Sequence, residues 1–204
     1  YLAKNSKFIT KLYSKGTLAL VAVDESHCVS NWGNDFRPDY QKLTCIKEYA
    51  PNIPILALTA TATKHIQDDI CKLLQLEDPV FVTGNFDRPN LYLSVSQRLS
   101  DTFDTKIKTL LNKYKNQKII MYCKTKVDTD RLALNIQKIG IKCDSYHAGK
   151  SPAVRNECQE KFTNGDITCI VATIAFGLGI NIPDVRLVLH FNCPGDLESY
   201  YQEI

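Results

Sequence analysis

Along the chain, hydrophobic and polar positions follow two alternating patterns. Short, β-branched apolar runs recur at 17–26 (TLALVAVDES), 53–60 (IPILALTA), 79–84 (PVFVTG), 117–123 (QKIIMYC), 141–147 (IKCDSYH), 167–173 (ITCIVAT) and 185–191 (VRLVLHF). Their nearly continuous apolar character predicts parallel strands buried on both faces. Between them, apolar residues return at helical spacing: Ile66, Ile70 and Leu73; Phe103, Ile107, Leu110 and Tyr114; Leu132, Ile136 and Ile139; Val154, Cys158 and Phe162. Each set lines one face of a helix. The repeated strand–helix rhythm predicts an α/β fold with helices over parallel sheets.

The rhythm weakens once, across GNFDRPNLYLSVSQRLSDT, where an Asp-Arg-Pro-Asn turn separates a finished sheet from a new helix near residue 102. This predicts two domains, 1–95 and 96–204. The first has at most three strands and no opening βα unit, which is thin for an independent sheet, so the expectation is a fragment of a larger protein.

Composition narrows the class. With 204 residues, 44% hydrophobic and 23% charged, the chain has enough apolar mass for one large core or two smaller ones, which excludes disordered and fibrous proteins. No apolar run approaches the roughly 20 residues of a membrane span, and YLAKNSKFITKLYSKG lacks the features of a signal peptide, so an intracellular protein without membrane contact is expected. The eight cysteines are scattered with no CxxC pair, which favours reduced thiols in the cytosol or nucleus over a zinc cluster or disulfide scaffold. A net charge of only +3 means that any nucleic-acid contact must come from a local patch.

Asp24 and Glu25 stand where the run LALVAV stops, and ligands of open α/β sheets gather outside the carboxyl ends of strands. Two readings fit. One carboxylate could hold magnesium through water while its neighbour orients an attacking water, as phosphoryl transfer requires; or the pair is a solvated strand end. Asp24, His27 and Cys28 offer a zinc alternative that lacks a second matching cluster. Elsewhere, Gly149-Lys150-Ser151 follows a strand and precedes a helix, as a phosphate-binding loop does. The spacing fails, because Asp144 stands where that loop needs glycine and would repel phosphate. Ser151 before Pro152 reads instead as a helix N-cap.

DESHCVSNWGNDFRPDY followed by LALTATAT resembles the RecQ family of DNA helicases, within helicase superfamily 2. The resemblance runs on through GNFDRPNLY, IIMYCKTK, YHAGKSPAVRNECQEKF, IVATIAFGLGINIPDVRLVLHF and DLESYYQE, in matching order and spacing. It implies two RecA-like lobes, the first incomplete at its N-terminus and the second cut near its C-terminus. It also implies an ATP- and Mg2+-dependent enzyme that moves 3′ to 5′ on single-stranded DNA. The implied substrates are single-stranded and branched duplex DNA in repair and recombination, and the implied location is the nucleus in a eukaryote, otherwise the cytoplasm. The family's phosphate-binding loop is expected before Tyr1 and its arginine finger beyond Ile204, so the fragment alone is expected to be inactive.

Residue by residue, the resemblance gives Asp24 and Glu25 to the DEAH-type motif II, with Asp24 on magnesium, Glu25 activating water, and His27 linking the nucleotide site to neighbouring motifs. Thr59 and Thr61 fall in motif III, and the run 28–40 matches the loop that connects DNA binding to hydrolysis. There Trp32 and Phe36 would stack on unpaired bases, at roughly 1 to 3 kcal/mol per base, and Arg37 would meet phosphate. The alternative, that these aromatics fill core, is opposed by Gly33, Asn34 and Asp35 between them. In the second half, Thr173 would touch the DNA backbone, while Gly179, Asn181 and Gln202 would approach the nucleotide. Gly177 and Gly179 would allow the tight turn, though an ordinary loop uses glycine in the same way. Three positions depart from the family pattern: Ser26 replaces the usual alanine, Asn31 the common glutamine and Asn34 the common histidine. An RNA helicase of the same superfamily and a non-catalytic nucleic-acid-binding module are the alternative functions.

Overall fold

The computed structural model describes residues 6–30, 38–85, 87–97, 105–177 and 182–204. The chain divides into two units, Tyr1–Asn90 and Leu91–Ile204. The first contains helix α1 (Ser6–Ser14), strand β1 (Val21–Val23), a 3-10 turn at Ser26–Val29, short helices α2 (Pro38–Gln41) and α3 (Ile46–Tyr49), strand β2 (Ile55–Ala57) and helix α4 (Lys64–Leu73). β1 and β2 pair in parallel, with Val21 opposite Ile55 and Val23 opposite Ala57. Val23, Val29, Ile46, Ile53, Ile66, Ile70 and Leu74 form the core. The Thr63 hydroxyl caps α4 by accepting from the Ile66 N–H, so Ile66 and Ile70 point inward as their spacing predicts.

Two expectations fail in this unit. The strands at 17–26 and 53–60 shrink to three residues each. The expected strand at 79–84 does not form, and Val80 and Val82 are 89% and 91% exposed. β-Branched sequence favours a pleated, half-buried surface but cannot supply a ladder, and no described strand lies alongside this segment.

The second unit contains α5 (Thr105–Lys113), β3 (Lys118–Tyr122), α6 (Lys126–Lys138), β4 (Cys143–Tyr146), α7 (Pro152–Asn164), β5 (Cys169–Ala172), β6 (Val185–His190) and α8 (Leu197–Glu203). Its four strands lie in the order β4-β5-β3-β6, all parallel. Both faces of the sheet are covered. Ile119, Met121, Cys169 and Val171 meet Leu111 of α5 and Leu132 and Ile136 of α6, whereas Ile120, Tyr122, Ile170 and Ala172 meet Cys158 and Phe162 of α7. Alternate residues of one strand thus face opposite layers, which explains why these runs are apolar throughout. β6 departs from the expectation of full burial: at the sheet edge its residues are only partly covered. As expected, Ser151 caps α7 by accepting from the Val154 N–H, with Pro152 in the first turn. Lys150 lies 3.5 Å from Asp144 and donates to the Ser145 carbonyl. All eight cysteines are free thiols. Burial pushes the Cys123 thiol up to about 12 and Cys158 to about 11, which makes both inert packing groups.

Candidate functional site

Asp24 and Glu25 leave β1 between two backbone hydrogen bonds. The Leu58 N–H donates to the Val23 carbonyl at 2.9 Å, and the Ser26 N–H donates to the Leu58 carbonyl at 2.8 Å. The segment after β2 therefore holds both ends of a two-residue excursion. Glu25 adopts φ 48° and ψ 44°, a left-handed conformation that costs a non-glycine residue about 1–3 kcal/mol. Such strain persists only where its surroundings enforce it. The 3-10 turn that follows is fully buried at Ser26, His27, Cys28 and Val29, and the Ser30 hydroxyl ties its end to Asp69 of α4 at 2.7 Å.

The two carboxylates occupy different environments. Asp24 is exposed, and its Oδ1 accepts from the Glu25 N–H at 2.9 Å. Glu25 turns inward, and its Oε2 is buried without a hydrogen-bond partner. His27 Nδ1 lies 3.3 Å from that oxygen but is directed at Thr59 Oγ1, 2.9 Å away. Thr59 Oγ1 donates to the Thr61 carbonyl and accepts from the Thr61 N–H. With its own proton committed to that carbonyl, Thr59 must accept from His27, which places the imidazole proton on Nδ1. Nε2 then faces Cys28 Sγ at 3.6 Å.

An exposed carboxylate at a strand end suits magnesium, which keeps most of its waters and takes one or two protein oxygens plus substrate phosphates. A buried carboxylate oxygen without a donor suits an ordered water. Among the described residues no group of three or more His, Cys, Asp or Glu could hold a metal, and the zinc alternative at Asp24, His27 and Cys28 is not assembled. Thr61 is 7% exposed and belongs to the His27 network rather than to the surface.

In the second unit, Thr173 follows β5, half-buried, and its carbonyl accepts from the Phe176 N–H at 3.0 Å in a tight turn. Gln202 lies exposed on α8. Trp32, Phe36, Arg37, Gly179 and Asn181, together with the departures at Asn31 and Asn34, lie outside the described residues. Sequence reasoning missed one feature here, the 2.8 Å contact between His190 and Glu203. The two are thirteen positions apart, and the only hint is a histidine ending the run VRLVLH.

Parallel sheets flanked by helices are the architecture of RecA-like lobes. Dbp5 of Saccharomyces cerevisiae, solved bound to RNA and ADP BeF3, has a similar fold, with a TM-score of 0.66 at 15% identity over 97% of this chain and 53% of that one. Residues 103–204 match the helicase conserved C-terminal domain. The chain is 46% identical over 195 residues to the ATP-dependent helicase SGS1 of Saccharomyces cerevisiae, covering 96% of this chain and 14% of that protein. It is 46% identical over 196 residues to a putative ATP-dependent RNA helicase of Acanthamoeba polyphaga mimivirus, covering 96% and 36%. It is 41% identical over 208 residues to ATP-dependent DNA helicase Q1 of Rattus norvegicus, covering 99% and 34%. The chain belongs to the helicase family defined by that conserved domain, and its curated relatives include helicases of the RecQ group. It spans 14% to 36% of the length of these three relatives.

Proposed function

We propose that this chain is part of an ATP-dependent DNA helicase of the RecQ kind, which hydrolyses ATP with magnesium to move 3′ to 5′ along single-stranded DNA and open duplexes. The observation that carries the reading is the division between neighbouring carboxylates: Asp24 in solvent, and Glu25 strained, turned inward and holding an orphaned buried oxygen. Asp24 would hold magnesium, and Glu25 Oε2 is placed to accept a hydrogen bond from the water that attacks the terminal phosphate, orienting its lone pair. Magnesium held there would supply positive charge against the phosphate. His27 Nδ1 stands 3.3 Å from Glu25 Oε2 and donates to Thr59, whose hydroxyl bonds the Thr61 backbone, so one nitrogen adjoins both the acid and the segment after β2. Trp32, Phe36 and Arg37 are the proposed sensors of DNA, Thr173 a backbone contact, and Gly179, Asn181 and Gln202 the nucleotide-side residues of the second lobe. Repair and recombination of branched DNA is the proposed role, nuclear in a eukaryotic cell.

The test is a pair of substitutions in the full-length protein. Glu25→Gln keeps nucleotide affinity and lowers turnover by about a thousandfold or more, whereas Asp24→Ala also weakens magnesium-dependent nucleotide binding. Equal loss of affinity in both variants refutes the division of roles. The mimivirus relative, named as an RNA helicase, favours a second reading in which the strand is RNA. ATPase stimulation by RNA exceeding that by single-stranded DNA would select it.

A further inference from the structure

Tyr146, Ala172, Tyr122 and His190 form one row across the carboxyl ends of β4, β5, β3 and β6, each in register with the next. Ala172 is the small member between two tyrosines. Nearby, the Phe176 ring packs edge-on to Tyr146 at 4.9 Å and lies 6.0 Å from Phe162, at 2% exposure. The turn after β5 is thus anchored in the core by one aromatic side chain. It is held a second time because the Tyr122 hydroxyl donates to the Phe176 carbonyl at 3.0 Å. A Cβ on Gly177 would stand 3.0 Å from the same hydroxyl, and φ there is 134°, so glycine is required for both reasons.

On its other side, the Tyr122 ring stacks on His190, with centroids 5.5 Å apart and planes 20° from parallel. His190 Nε2 donates to Glu203 Oε2 at 2.8 Å, and the Tyr200 ring lies 5.2 Å away. The carboxylate can only accept, so the ring proton sits on Nε2. Both side chains are nearly enclosed, His190 at 14% and Glu203 at 10% exposure, which makes the loss of either partner costly. Burial, with the charge of Glu203 adding to it, pushes the Tyr122 phenol up and keeps it a neutral donor.

We propose that Glu203, His190 and Tyr122 are positioning residues that fasten helix α8 to the turn after β5, so that the helix carrying Gln202 and the turn carrying Thr173 shift together. The assignment rests on the reading of Thr173 and Gln202 as ligand-contacting residues, and it adds the linkage between them. Glu203 faces the sheet while its neighbour Gln202 is exposed, so the pair that pins the helix also aims the outward residue. Discrete packed and hydrogen-bonded arrangements of this kind carry coupling between sites.

Amide hydrogen exchange on the 204-residue chain tests the linkage without any ligand. The Phe176 N–H is bonded to the Thr173 carbonyl and reports on the turn, and the Tyr200 N–H is bonded to the Asp196 carbonyl and reports on α8. Glu203→Ala is expected to raise exchange at both amides by about tenfold, and Glu203→Gln, which keeps an acceptor oxygen, to restore most of the protection. In Tyr122→Phe the Phe176 amide is already faster, and adding Glu203→Ala accelerates Tyr200 alone. Faster exchange at Tyr200 with Phe176 unchanged in the single Glu203→Ala variant overturns the proposal, as does an equal Phe176 response with and without the Tyr122 hydroxyl. Exchange at Ile119 and Ile170 in the sheet interior stays at the wild-type rate if the variants are folded; a rise there means α8 holds the whole lobe together, which also overturns it. Titration of Thr173→Ala with single-stranded DNA tests the underlying reading separately.

Discussion

One hydroxyl, Thr59 Oγ1, meets His27 Nδ1, the Thr61 N–H and the Thr61 carbonyl within 3.2 Å. Thr59→Val keeps the shape and removes all three bonds, taking this acceptor from the Thr61 N–H and leaving the imidazole N–H only Glu25 Oε2, 3.3 Å away. Each orphaned donor costs about 1–3 kcal/mol, so with Glu25 left to replace the acceptor of His27 the first unit should lose about 1–3 kcal/mol of stability, while Thr59→Ser should lose about 1 kcal/mol or less. Denaturant unfolding followed by the signals of this unit measures both. An unchanged midpoint in the valine variant would mean that Thr59 does not organise His27. At this scale the sequence was partly legible. The acids, His27 and the two threonines were recognised by motif, and the structure brings Glu25, His27, Thr59 and Thr61 into one network. The contrast between Asp24 and Glu25 was not legible, because a left-handed backbone at Glu25 is imposed by the Leu58 bonds on either side and leaves no trace in composition.

Elements could be read wherever local chemistry and long-range packing agree. Helix α7 has a cap at Ser151, proline in its first turn, Cys158 and Phe162 on one face, and Gly165 at φ 84° closing it. All of these signals lie within the helix or beside it. Removing the cap isolates one of them: Ser151→Ala should cost about 1 kcal/mol, and Ser151→Asp should recover it, since either oxygen can accept from the Val154 N–H. Thermal unfolding of the second unit checks both, and a null effect in the alanine variant would show that the proline and tertiary packing define the helix start unaided. The segment 79–84 illustrates the opposite case. Its residues are as β-prone as those of β5, yet it pairs with no described strand, because a ladder depends on a neighbour that local sequence does not supply. Helix α8 is not among the predicted helices for a related reason: none of its residues is fully buried, and the His190–Glu203 contact that docks it is not local.

At the scale of the molecule, the two units differ in how their sheets are supported. β3 and β5 each have a strand on both sides and helices on both faces, and their residues from Ile119 to Tyr122 and from Cys169 to Ala172 are buried almost completely. In the first unit β1 and β2 have one described neighbour each, and Leu56 and Leu58 remain 44% exposed. A two-stranded sheet is marginal by itself and depends on the helices packed against it, here chiefly α4 through Ile66 and Ile70. Opening energies within one chain range from near zero to the global value, and the low end belongs to regions with few buried contacts. Native-state hydrogen exchange of the 204-residue chain should therefore resolve two classes. Val23 and Leu58, whose carbonyl and N–H bond each other just before the acid pair, should open with the first unit, at rates at least about tenfold above those of Ile120 and Ile170. Denaturant should accelerate the two classes with different slopes, the steeper for the larger sheet, since each slope scales with the surface that its unit exposes on opening. A single class, with all these amides exchanging at one rate and one denaturant dependence, would show that the units unfold as one cooperative body. The acids that follow β1 would then draw their rigidity from the whole chain rather than from the small sheet that precedes them.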